Sequence, residues 1–318
     1  MRPVNISVRL DVSITPRPWS PRRLLARGAW RLIVLGVLAF AAIFFVVPIV
    51  WLLLESTRTG PQSQFGSPLG FGSFNQILAN WQVLFSGLLG QTGTWLANSA
   101  LYSGSGVLIA VGLGIPAGYG LAAFDFIGRR PLLIATMIAM LIPSNALVLP
   151  LVLEAHSLKV LSSPLAVILP YGLFPFGVYI AYLYFNTPRV HGLLAAARID
   201  GCTEWQAFRA VALPLSTPVI GLVVVLDFIA SWTNYFLPWA MYSAFDLPGR
   251  YPVTLGIAQQ LMAGPSYGGG LLRDLQLQTT APPSVEALLI LVSCAPVIIV
   301  LLIAQRWIVS GRLQGVFV

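Results

Sequence analysis

Long apolar runs alternate with shorter polar ones along most of the chain. Runs near Leu32–Leu54, Leu96–Phe124, Leu132–Leu153, Pro164–Phe185, Leu215–Trp239 and Val285–Ile308 each approach or exceed the roughly 20 residues a helix needs to cross a bilayer. The pattern predicts an all-α polytopic membrane protein with six transmembrane helices. The second run is rich in small residues, and its Gly114 and Gly118 form a small-xxx-small pair that allows close helix packing. The third is interrupted at Pro143 and Pro150. Between the first two runs, Gly60–Gly72 reads as loop and Phe74–Leu89 as a short amphipathic helix outside the membrane. Two long polar loops remain, Asn186–Ala212 and Ser243–Pro283, the latter carrying Gly268, Gly269 and Gly270.

Composition supports the membrane reading. The chain is 57% hydrophobic and 9% charged, where soluble domains run near ~25% charged. Its net charge of +8 does not indicate nucleic acid, because the basic residues flank apolar runs. Only Arg58, Lys159, Arg250 and Arg273, of the 18 Lys and Arg residues, fall on the side opposite the termini. The positive-inside rule therefore places both termini, the 125–131 turn and the 186–212 loop in the cytoplasm. Residues 1–30 are expected to form a basic cytoplasmic tail ahead of a six-span domain at 31–318. Leu32–Leu54 is too long for a signal-peptide core and no small-x-small site follows it, so it reads as a retained span. Cys202 and Cys294 give no disulfide framework, and the separated His156 and His191 give no metal site.

The 186–212 loop has internal order. Pro188 can open a helix, and Leu193–Ile199 is alanine-rich and favours one. Gly201 suits the left-handed turn that ends it. Thr203 can cap a second helix with Gln206 as capping-box partner. Trp205, Phe208 and Val211 fall at i, i+3, i+6, one apolar face. The result is a hairpin suited either to a partner's groove or to the bilayer surface.

The same stretch resembles the signature loop of binding-protein-dependent ABC importer permeases, E-A-A-x-x-x-G followed by nine residues and I-x-L-P. It falls here on Ala195, Ala196, Ala197, Gly201, Val211, Leu213 and Pro214. Arg198-Ile199-Asp200-Gly201, Phe208 and the Leu-Pro-Leu at 213–215 are similar to the carbohydrate-importer form, as in the maltose-importer permeases. Asn98-Ser99, Met140-Leu141-Ile142-Pro143, Ser231-Trp232-Thr233-Asn234 and the Gln305-Arg306, Gly311 and Gly315 ending extend the likeness. One departure is Ala195, where the family carries an acidic residue that helps hold the ATPase; Asp200 or Glu204 are the candidates to compensate. The resemblance implies the type I importer permease fold, with 186–214 as the ATPase-coupling loop through Ala195, Ala196, Ala197, Arg198, Asp200, Gly201, Phe208, Leu213 and Pro214. It also implies a second homologous permease, two ATP-binding subunits, an extracytoplasmic substrate-binding protein and a carbohydrate ligand, all at the inner membrane.

Within the apolar runs, Asp227 stands out, because a carboxylate at the bilayer centre costs about 2.5–3.5 kcal/mol on insertion scales. Ser231 and Asn234 follow at i+4 and i+7 on the same face. That stripe lines a translocation path or forms a helix–helix seam. Trp232 and its aromatic neighbours suit either sugar stacking or an interfacial belt. Asn145 follows Pro143, where a broken helix would line a cavity or be buried in protein. No G-x-x-x-x-G-K-[ST] or hydrolase motif occurs. The chain is thus not expected to be an enzyme or to hold a cofactor; ATP and magnesium would be bound by partner subunits. The alternative is an ion-coupled secondary transporter using Asp227.

Overall fold

A computed structural model describes residues 21–67, 69–86, 91–243, 247–263 and 281–309. Gly268–Gly270, the C-terminal Gly311 and Gly315, and the first 20 residues of the expected basic tail lie outside them. The chain forms two units, residues 1–51 and 52–318. The described part of the first is helical throughout and belongs to α1 (Pro21–Glu55), which carries the apolar run of the first span.

The second unit is built around α4 (Thr92–Ala123). On one side α4 packs against α7 (Leu165–Gly172) and α8 (Pro175–Phe185), and on another against α12 (Thr217–Thr233). Helix α15 (Pro283–Val309) lies along α12. Small residues set these distances. A Cβ on Gly118 would lie 2.5 Å from the Ala181 Cβ, and one on Gly106 2.8 Å from the Tyr171 Cβ. Gly118 thus does what the small-residue pattern predicts, whereas at Gly114 a Cβ would meet nothing nearer than 3.7 Å.

Several spans are broken. α5 (Arg129–Leu141) stops before Pro143, a 3-10 turn covers Ser144–Leu147, and α6 (Val148–Ser157) leaves at 99°. The expected interruption at Pro150 does not occur, because Pro150 sits in the first turn of α6, where its missing N–H costs no helical bond. The fourth span bends between α7 and α8 at Phe174, which precedes Pro175 and takes φ −116°, ψ 82°. The fifth is not one helix. α12 ends at Asn234 and a short α13 (Phe236–Tyr242) follows. Nor is 243–283 all loop, since it contains α14 (Val253–Ala263). Among the described residues, four helices are long and apolar enough to cross a membrane, or up to six if each of two bent pairs counts as one span.

At the end of the bundle away from the 186–215 segment, α2 (Gly60–Phe65) and α3 (Phe74–Ser86) pack on α15. Asn98 and Ser99, at the head of α4, hold the 249–253 segment. Asn98 donates to the carbonyls of Gly249 and Tyr251 at 2.9 and 3.1 Å, and Ser99 accepts from the Val253 N–H at 2.8 Å.

Candidate coupling hairpin and translocation path

The 186–215 segment folds as its local chemistry dictates. α9 (Pro188–Ile199) opens on Pro188, and Gly201 takes φ +85°, a conformation that disfavours any side chain. Thr203 and Gln206 form the capping box of α10 (Glu204–Ala207). A π-turn over Phe208–Ala212 follows, then α11 (Leu213–Leu215). Ser216 is fully buried, its hydroxyl bonds to the Leu213 carbonyl at 2.8 Å, and the chain turns by 68° into α12. Leu213 and Pro214 therefore stand at the elbow between hairpin and span.

The two sides of the hairpin differ. Val190, Leu194, Ala197, Ala207, Phe208 and Ala212 are buried against Ile115, Tyr119, Phe185 and Val223 of the bundle. Ala195, Ala196, Arg198, Ile199, Asp200, Gly201 and Trp205 are exposed. Ile199 and Trp205 are large apolar side chains facing outward, at 86% and 67% exposure. The expected face of Trp205, Phe208 and Val211 is kept in part: the Trp205 and Phe208 rings lie 5.7 Å apart, with Phe208 buried, Val211 half-buried and Trp205 exposed. The π-turn begins at Phe208 and shifts the register only after it.

Tyr119 of α4 connects the hairpin to the bundle. Its ring centroid lies 4.9 Å from that of Phe208 and 5.4 Å from that of Phe185. Its hydroxyl reaches the Glu204 carboxylate at 3.4 Å. The same carboxylate accepts two bonds from Arg198, at 2.7 and 3.0 Å, which ties α10 to α9 across the turn. That bond raises the Arg198 pKa above its ordinary value. Glu204 is accordingly engaged within the hairpin, and Asp200 is the acid left facing outward. Tyr119 gave no signal in the sequence, being one aromatic residue in an apolar run, and Ile199 entered only through the family likeness of the 198–201 run.

The polar residues of the fifth span separate into different tasks. Asp227 and Ser231 are buried on α12, and Asp227 Oδ2 has no hydrogen-bond partner among the described residues. Ser231 donates to the Asp227 backbone carbonyl at 2.8 Å, not to its carboxylate. Asn234 is half-buried and accepts from the Leu237 N–H at 3.2 Å, capping α13. Trp232 is buried, and its indole donates to the Ser293 carbonyl of α15 at 3.0 Å. Asn145 is exposed on the α5–α6 bend.

Known proteins resemble this chain in sequence and in fold. Residues 110–314 match the family model described as the binding-protein-dependent transport system inner membrane component. The chain is 29% identical over 279 residues to the arabinooligosaccharide transport permease AraQ of Halalkalibacterium halodurans, covering 87% of this chain and 92% of that one. It is 33% identical over 235 residues to the maltose/maltodextrin permease MalG of Escherichia coli K12, covering 70% and 71%. A bacterial ABC transporter that imports the acidic polysaccharide alginate contains a chain of the same fold, with TM-score 0.72, 21% identity and coverage of 91% and 99%. The helical architecture, the match from Ala110 onward and relatives aligned along most of its length converge: the chain belongs to the family of binding-protein-dependent transport system inner membrane components, as a multi-pass membrane transport subunit and not an enzyme.

Proposed function

We propose that this chain is one of two homologous membrane subunits forming the translocation path of an ATP-driven carbohydrate importer. An extracytoplasmic binding protein delivers the ligand, and two separate ATP-binding subunits, which hold ATP and magnesium, supply the energy. The relatives named for arabinooligosaccharides, maltose and maltodextrin support the substrate class. The charge asymmetry supports a cytoplasmic hairpin and cytoplasmic termini.

The observation that carries the coupling role is the two-sided hairpin. Its inner side is packed into the bundle, while Ala195, Ala196, Ile199, Asp200, Gly201 and Trp205 face out. In this reading the ATPase grips that outer face, with Asp200 supplying the acidic contact absent at Ala195. Arg198 and Glu204 keep the two arms together, Phe208 and Tyr119 pass the motion to α4, and Leu213–Ser216 is the elbow to α12. ATP-driven closure shifts the hairpin between two docked positions, and the difference in docking energy selects the outward- or inward-open bundle. Asp227 and Ser231 provide the polar groups of the path, with Asn234, Trp232 and Asn145 supporting its walls.

The test is reconstitution in proteoliposomes with the partner subunits and the binding protein. Sugar uptake should require ATP inside and the binding protein outside, and Asp200→Asn should weaken ATPase association. Uptake by this chain alone, driven by an ion gradient, would overturn the proposal.

A further inference from the structure

A groove runs between α5 and α8 at the hairpin end of the bundle, and it holds two cavities. The one nearer the hairpin is about 610 Å³, lined by Asp125, Phe126, Arg129, Arg130, Leu133 and Tyr182, among others. The other is about 320 Å³ and almost wholly apolar, with Ala135, Ala139, Phe174 and Val178 in its walls. Its one side-chain hydroxyl, on Thr136, is committed to the Leu132 carbonyl at 2.9 Å. Both cavities touch α5 and α8, and the second is also walled by α4 at Ala110, Leu113, Gly114 and Ala117. Thr136 lies three residues beyond Leu133 on α5, and Val178 lies one turn from Tyr182 on α8.

Charge is distributed unevenly along this groove. In the upper cavity Arg129 is neutralised by an ion pair with Asp125. Arg130 is exposed and has no hydrogen bond or ion pair among the described residues. The upper cavity thus presents one uncompensated guanidinium. Around it, Ile127 is fully exposed, Phe126 is 44% exposed and Leu132 52%. Such a rim belongs at a lipid boundary, not in water. From Arg130 to Ala139, α5 rises about 13 Å, close to the ~15 Å of one hydrocarbon leaflet.

A cationic, half-open chamber above a dry apolar one fits an amphiphile with an anionic head. We propose that this groove holds an anionic phospholipid of the leaflet on the hairpin side, its phosphate on Arg130 and an acyl chain along α5 and α8. The arginine favours an anionic over a zwitterionic headgroup, since basic residues near a membrane surface attract anionic lipid. Assignment of that leaflet as the cytoplasmic one rests on the function proposed above.

The experiment is native mass spectrometry of the detergent-purified protein, with whatever subunits co-purify, loaded with phosphatidylglycerol or phosphatidylethanolamine. Phosphatidylglycerol should be retained in preference, and Arg130→Gln should reduce that preference about fivefold. Ala139→Phe, which fills the apolar chamber, should lower retention of both lipids alike. Arg189→Gln, an exposed arginine outside the groove, should change nothing. An unchanged preference in Arg130→Gln, or an equal loss in Arg189→Gln, would overturn the proposal. So would displacement of the lipid by millimolar inorganic phosphate, which marks a site for the free anion. A photo-cross-link from position 139 to a second permease subunit instead of lipid would also overturn it. Lipid retention is read on this chain itself, so absence of a co-purifying ATPase would count against the importer reading without altering the lipid result.

Discussion

Two arginine–carboxylate pairs sit at opposite ends of the second unit, and they are built differently. At the end away from the hairpin Arg58 and Glu55 pair at 2.9 Å with side chains only 4% and 3% exposed. Arg58 also donates to the Gly70 carbonyl from Nε at 2.9 Å and from a terminal nitrogen at 2.7 Å, and to the Ser67 carbonyl. Asn80 of α3 closes the cluster by donating to the carbonyls of Ser56 and Arg58 at 2.9 and 3.2 Å. At the hairpin end Arg198 and Glu204 pair at 2.7 Å, but with side chains 37% and 46% exposed. The first pair is a latch, desolvated and bonded to fixed backbone, that holds the loop after α1 against α3. The second is a link between two short helical arms, open to water and cheap to remake. On the proposed function the first would serve as a rigid cap and the second as a joint at the driven end.

The largest expected effect is at the latch. Arg58→Met leaves a buried carboxylate without its partner and should cost about 3–5 kcal/mol. Thermal unfolding of the purified protein reads this, and the added Glu55→Leu should restore much of the loss. Phe208→Ala comes next. It removes a buried ring from the hairpin core and should cost about 3 kcal/mol, appearing as faster proteolysis within 186–215 and lost uptake while the latch stays intact. Glu204→Gln should cost no more than about 1 kcal/mol, because the pair is half exposed. Its signature is instead a fall in sugar moved per ATP hydrolysed. Trp205→Ala should leave stability nearly unchanged and weaken ATPase association. If Glu204→Gln and Arg58→Met proved equally destabilising, the contrast between latch and link would not hold.

Much of the hairpin was legible in the sequence because its signals are local. Pro188, Gly201 and the Thr203–Gln206 box act through their own backbone, and each does in the structure what its chemistry predicts. The family likeness rested on the same residues and on Asn98-Ser99, whose bonds to the 249–253 segment give that pair a physical role. What the sequence hid depends on partners distant along the chain. Glu55 to Arg58 fall between the first apolar run and the Gly60–Gly72 loop, and their burial, with Arg58 bonded to the Ser67 and Gly70 carbonyls and Asn80 bonded to Ser56 and Arg58, shows only in the fold. The π-turn over Phe208–Ala212 is likewise something no spacing rule anticipates. Asn234 looked like a third member of the Asp227 stripe, and the break in the fifth span makes it a cap instead. Trp232 read as either a sugar-stacking residue or part of an interfacial belt, and its indole is instead committed to α15.

The most direct measurement is photo-cross-linking from the exposed face of the hairpin in native membranes. A photoreactive residue at position 196 should capture a separate ATP-binding subunit, with a yield that changes when ATP hydrolysis is blocked, whereas one at position 145 should not. Capture of lipid alone from position 196, with uptake persisting in the absence of any ATP-binding subunit, would contradict the coupling role assigned to this hairpin.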